Sequence, residues 1–152
     1  MTFHVVPIKG QMMISPLKEQ IINANQDFGW TPDQTASDFN NAYSEYYCLV
    51  EKEILFGYIG LHRLGEEATI NMIYIRPKDR GKGLGKQLLA FTLDQLQARQ
   101  VHHLFLEVRA SNRPAINLYR GAGFDTLTIR KAYYRQPVED ALIMQLNLRK
   151  ED

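Results

Sequence analysis

The stretch RPKDRGKGLGKQLL, residues 76–89, sets five lysines and arginines among three glycines and runs straight into leucines. Upstream, ATINMIYI (68–75) is rich in β-branched and aromatic residues and reads as a strand. Downstream, Leu84, Leu88 and Phe91, with Leu89, Leu93 and Leu96, recur at three-to-four spacing, so a helix is expected from Leu84 to about Arg99. Strand, glycine turn, helix is the local order that cradles phosphate. The first N–H groups of a helix are unpaired and carry about half a positive charge, and glycine lets backbone approach oxygens closely. Lys82 and Lys86 add charge directly, with Arg76, Lys78 and Arg80 nearby and Asp79 the single acid among them. A flexible surface turn is the plain alternative. Two nucleotide motifs do not fit: no Ser or Thr follows Lys86 as in a Walker loop, and Gly81, Gly83 and Gly85 lack Gly-x-Gly-x-x-Gly spacing.

The rest of the chain gives that cationic turn no global support. Its 152 residues carry a formal net charge of +1, with 45% hydrophobic and 23% charged residues. These are values of one globular domain, expected to span 1–152, with no overall field for nucleic acid or membrane. Any polyanion site is therefore local. The single cysteine, Cys48, excludes an intrachain disulfide and a thiolate metal cluster, and in YYCLV it reads as a buried small hydrophobe. The four histidines lack helical i, i+4 pairing, so no metal is expected. MTFHVVPIKG lacks the apolar core of a signal peptide, and no apolar run approaches the ~18 residues of a membrane span. A cytoplasmic address is expected. RKED at the end reads as a solvated tail.

Around the turn, FHVVPI (3–8) reads as a first strand, and a helix follows with Ser15 as its cap and Pro16 at its first position. Gly29 breaks the chain, and Thr31-Pro32 opens a second short helix. YYCLVE (46–51) and ILFGYIGLH (54–62) form a hairpin across Lys52-Glu53, and RLGEE turns the chain into ATINMIYI. HLFLEV (103–108) is the next strand, with Leu104, Leu106 and Val108 on one face and Phe105 and Glu107 on the other. Asn112 caps a helix from about Arg113 to Ala122, closed by Gly121 and Gly123. DTLTIRKAYY (125–134) and DALIMQLNL (140–148) end the chain as an antiparallel pair. The fold class is α/β: a mixed sheet with helices on its faces.

Arg80, Gly83 and Gly85 match Arg/Gln-x-x-Gly-x-Gly/Ala, which resembles the pyrophosphate loop of the GNAT-type acetyltransferases. LEVRASN (106–112), Leu118-Tyr119 and Gly123-Phe124 sharpen the likeness toward the bacterial ribosomal-protein-alanine N-acetyltransferases, a branch of that family. FGW near position 30, EEAT before the fourth strand and IRKAYY with EDALIM agree in order, and the resemblance covers residues 28 to 148. It implies the GNAT fold, a mostly antiparallel mixed sheet with helices on both faces. It also implies acetyl-CoA as co-substrate, without a metal, and a protein N-terminus as acceptor.

The resemblance assigns residues as well. The backbone of Ile73, Tyr74 and Ile75 is to meet the pantetheine arm, and Gly81, Lys82, Gly83, Leu84, Gly85 and Lys86 the diphosphate. Gly81 stands where that family usually carries a side chain. Asn112 is to hydrogen-bond the cofactor, Glu107 to act as general base and Tyr119 as general acid. Elementary chemistry makes both proton carriers useful. An α-amine of pKa ~7.7–8.0 is mostly protonated near neutrality, whereas a tyrosine of pKa ~10 still holds its proton. The loop after the first helix and the last hairpin border the acceptor slot in that family, so Trp30 and Tyr134 are expected to wall it, with Tyr133 beside them. Tyr43, Tyr46 and Tyr47 lack the basic interleaving of a nucleic-acid platform and read as packing. Two other readings stay open: an N-terminal or small-amine acetyltransferase of different specificity, and a non-catalytic acyl-CoA-binding module.

Overall fold

The computed structural model describes residues 4–149; Phe3, expected to open the first strand, and Lys150, Glu151 and Asp152 of the tail lie outside them. In chain order the elements are β1 (His4–Lys9), α1 (Ser15–Asn25), α2 (Pro32–Phe39), β2 (Ser44–Glu51), β3 (Ile54–Leu64), β4 (Glu67–Ile75), α3 (Leu84–Ala98), β5 (His103–Arg109), α4 (Arg113–Gly121), β6 (Asp125–Arg135) and β7 (Val138–Asn147). The strands form one sheet in the order β1-β2-β3-β4-β5-β7-β6, antiparallel except for β4 beside β5. The mixed, mostly antiparallel sheet expected from the sequence is the one observed. Among the described residues no helix is long and apolar enough to cross a membrane.

Two apolar layers hold the sheet. On one face α3 and α4 bury Leu84, Leu88, Leu89, Leu96 and Ile116 against Tyr47, Leu49, Ile59, Leu61, Leu104 and Leu106. On the other, α1 and α2 bring Leu17, Ile21, Ala24 and Phe39 onto Tyr46, Cys48, Val50 and Tyr58. Covered on both sides, β2 is a nearly unbroken run of buried residues. Cys48 is fully buried, and its burial pushes the thiol pKa up to about 12. Polar groups drawn into these layers are paired. Glu45 receives Arg63 at 2.7 Å and Arg99 at 3.1 Å, and Asp38 accepts from Ser44, Tyr46 and His62.

The parallel pairing is short. It runs from Glu67↔His103 to Ile70↔Leu106 and stops there, although both strands continue. The cause lies on the other side of β4. Its register against β3 slips between Gly60↔Met72 and Leu61↔Ile70, leaving Asn71 as an extra residue. A one-residue slip turns the following side chains to the opposite face. Thus Ala68 and Ile70 pack in the α3–α4 layer, whereas Met72 joins the α1–α2 layer. Past the bulge β4 parts from β5, and a cleft opens between their ends.

Two helix starts differ from each other. Ile14, not Ser15, occupies the α1 cap position, and no side chain caps it, because Ser15 already lies inside the helix. At α2 the expected Thr31-Pro32 opening is a full capping box: Gln34 N–H donates to Thr31 Oγ1 at 3.1 Å, and the Gln34 side chain receives Thr31 N–H at 2.8 Å. The last helix ends one residue earlier than expected, so Gly121 belongs to it, and Gly123 at φ +105° makes the turn into β6. Thr31→Ala removes the cap acceptor and is expected to cost ~1 kcal/mol of stability, read as a lowered midpoint in urea unfolding with unchanged slope.

Candidate active site

Two clefts meet at the parting of β4 and β5. The first, of about 620 Å³, runs from the end of β4 past the glycine turn to α4; Ile73, Ile75, Gly81, Gly83, Gly85 and Lys86 are among its walls. The second, of about 730 Å³, opens on the α1–α2 side of the sheet and is walled by Trp30, Asn71, Glu107, Tyr119 and Tyr134 among others. Phe28, Ile73, Asn112 and Ala115 line both, so the two spaces join.

In the glycine turn, Gly81 and Gly83 take φ of +77° and +80°. Both lie in the left-handed region where a side chain is costly, which accounts for the unusual glycine at 81. Gly83 is the cap position of α3, and no side chain serves it. The first helical bond there is from Gln87 N–H to the Gly83 carbonyl at 3.1 Å. By helix geometry the N–H groups of Leu84, Gly85 and Lys86 are left without intrahelical partners, facing the first cleft. The cations sort themselves around Asp79. Arg76 Nε lies 2.6 Å and Lys82 Nζ 3.6 Å from its carboxylate, and the Arg76 hydrogen bond holds that carboxyl below the ordinary aspartate range. Lys86 has no salt bridge among the described residues and lines the cleft.

On β4, Arg76 N–H donates to the Phe56 carbonyl at 2.8 Å. Antiparallel alternation then turns the Tyr74 backbone toward β3 as well, and the backbone of Ile73 and Ile75 toward the cleft. Arg80 Nε takes the Ile75 carbonyl at 2.8 Å, which leaves Ile73 with the open edge. Of the expected residues, Tyr74 and Lys82 line neither of these clefts. Tyr74 instead stacks its ring on Tyr58 at 5.5 Å, on the far face of the sheet.

The second cleft gathers the residues expected to handle protons. Glu107 is the first residue of β5 beyond the paired segment, 40% exposed, with Arg130 Nη1 at 4.0 Å. Tyr119 projects from α4, is 5% exposed, and meets Phe124 edge-on at 5.6 Å. Its burial raises the phenol pKa well above the ordinary tyrosine value. Asn112 caps α4 by accepting Ala115 N–H at 3.3 Å, as expected. Tyr134 lies under the Arg109 guanidinium at 4.0 Å, and Trp30 follows the Gly29 turn at φ +83°. Tyr133 is half-exposed and is not among the lining residues. Several wall residues escaped the sequence reading, Phe28 and Asn71 among them. Phe28 had a signal in FGW, whereas Asn71 had none, because a bulge leaves no pattern in a single strand.

The profile of the acetyltransferase (GNAT) family matches residues 17–124. The chain belongs to that family. It is similar to the ribosomal protein bS18-alanine N-acetyltransferase of Haemophilus ducreyi, 35% identical over 145 residues, covering 90% of this chain and 100% of the relative. The enzyme of that name from Escherichia coli strain K12 is 37% identical over 121 residues, 78% of this chain and 81% of the relative. The crystal structure of the E. coli ribosomal-protein-S18-alanine N-acetyltransferase matches with a TM-score of 0.86 at 29% identity, covering 99% of this chain and 97% of that one.

This GNAT protein is an acetyl-CoA-dependent N-acetyltransferase. Its first cleft fits such a co-substrate: unpaired helix N–H groups and an unneutralised lysine suit a diphosphate, and an unpaired strand edge suits an amide-bearing arm. Among the described residues no cluster of His, Cys, Asp or Glu can hold a metal ion. Because Asp79 already holds Lys82, Lys86→Ala is expected to weaken acetyl-CoA binding about tenfold and Lys82→Ala distinctly less. Calorimetric titration of both variants checks this, and equal losses would contradict the charge assignment.

Proposed function

We propose that this enzyme transfers the acetyl group of acetyl-CoA to the N-terminal α-amine of a protein, with the alanine terminus of ribosomal protein bS18 as acceptor. One observation carries the reading. Glu107 and Tyr119 line a single cleft that joins the glycine-turn cleft at Ile73, Asn112 and Ala115. Relatives covering most of this chain bear that substrate in their names. A ribosomal acceptor implies work in the cytoplasm.

Acetyl-CoA supplies an acyl carbon activated as a thioester. On this reading the Leu84, Gly85 and Lys86 N–H groups and the Lys86 ammonium hold its diphosphate. The open edge of Ile73 and the Asn112 side chain align the arm. Lys82 shields the same end more weakly, as Asp79 shares its charge, and Tyr74 helps from behind by fixing β4 against β3. Trp30 and Tyr134 wall the acceptor slot, which receives an extended chain terminus.

An α-ammonium cannot attack, and with pKa ~7.7–8.0 most of it is protonated at neutral pH. Glu107 takes that proton, and the freed amine forms the new C–N bond as the C–S bond breaks. Tyr119 holds its proton across the physiological range, because burial disfavours the phenolate. It delivers that proton to the departing sulfur, and the second proton, shed by the nitrogen as the amide forms, restores the phenol. Neither step needs a covalent link to the enzyme.

Glu107→Gln and Tyr119→Phe are each expected to lower kcat by ~10²–10⁴ while calorimetric acetyl-CoA affinity stays unchanged. Full kcat across the pH profile in either variant would remove that residue from the scheme. Acceptor identity is read with peptides varied at their first two residues. Thiol release should be greatest with alanine first in the bS18 sequence, and a flat response across the panel would point to another amine.

A further inference from the structure

Asn71 is the extra residue of the β4 bulge. The last paired step between β4 and β5 is Ile70↔Leu106, so Asn71 and Glu107 are the next residues of two parallel neighbours. Ile70 and Leu106 both point into the α3–α4 layer, and strand alternation therefore turns Asn71 and Glu107 to the same opposite face. Both line the second cleft, and Asn71 is exposed there. Its carboxamide makes no hydrogen bond within the described residues, though asparagine at a turn or bulge commonly satisfies itself locally. Asn41 and Asn147 of this chain do so, each accepting a backbone N–H two residues on.

We propose that Asn71 is a substrate-binding residue for the acceptor amine, its side-chain oxygen accepting an N–H bond from the nitrogen whose proton Glu107 removes. The inference rests on the N-terminal acetylation reading and adds a second hand to it. An ammonium has three donors, and a lone carboxylate beside it leaves the nitrogen free to rotate. A neutral acceptor at the same level fixes a second N–H. Once Glu107 has taken its proton, the bond to Asn71 restricts the directions in which the neutral amine and its lone pair can turn. A carboxamide suits this role because it does not titrate: it holds the charged and the neutral amine alike, and it raises no competition for the proton. A second carboxylate at that level would instead push the Glu107 pKa up by like-charge repulsion.

The test compares wild type, Asn71→Ala and Asn71→Asp with a peptide carrying the bS18 N-terminus. Asn71→Ala is expected to raise the peptide KM about tenfold, the scale of one lost hydrogen bond, with calorimetric acetyl-CoA affinity unchanged. Asn71→Asp keeps the shape and is expected to move the acidic limb of the kcat/KM profile to higher pH. A purely structural role would not raise the peptide KM alone, whereas the shifted pH limb reports that position 71 faces Glu107. If both variants keep the wild-type KM and pH profile while wild type acetylates the peptide, the Asn71 inference fails and the function stands. If wild type turns over no N-terminal amine, both are overturned.

Discussion

The site depends on a pairing that is broken off. Parallel β4 and β5 share four residue steps and then separate, because one residue too many in β4 rotates the rest of that strand away. A sheet that continued its ladder would satisfy the Ile73 edge internally and leave no room between strands. Here the ladder ends where Glu107 begins to face open space, and the N-terminus of α3 closes the gap from one side. The two joined clefts are thus one defect seen from two faces of the sheet.

The two apolar layers are what allow such a defect to persist. Both faces of β2 and β3 are covered by helices, and the first half of β4 is buried on its α3–α4 face by Ala68 and Ile70, so the sheet is anchored well before the strands diverge. The α3–α4 layer carries the glycine turn and Tyr119, whereas the α1–α2 layer carries Phe28 and Trp30. Walls of the joined clefts therefore belong to different hydrophobic cores, and the sheet between them sets their separation.

Much of this was legible in the chain. Helical spacing after Leu84, the Asn112 cap, the Thr31-Pro32 opening and the alternation in HLFLEV each have a local physical cause, and each stands where it was expected. The glycine turn was legible because positive φ demands glycine. What was hidden depends on relations between distant segments. That Asp79 lies beside Lys82 and not beside Lys86 is a matter of side-chain geometry, and the two lysines look alike in the sequence. The Asn71 bulge is a mismatch between two strands, so neither strand shows it alone. Ser15 was misread as a cap because a Ser-Pro opening fits two registers one residue apart.

The Tyr58 hydroxyl donates to Asn25 Oδ1, and the Asn25 amide donates in turn to Thr35 at 3.1 Å. This chain of bonds runs from the middle of the sheet to both helices that flank Phe28, Gly29 and Trp30. Phe28 and Trp30 at the second cleft are thereby bolted to the centre of the sheet from behind. The posture of that wall is set when the protein folds, so on the proposed acceptor role little disorder has to be surrendered when a peptide arrives.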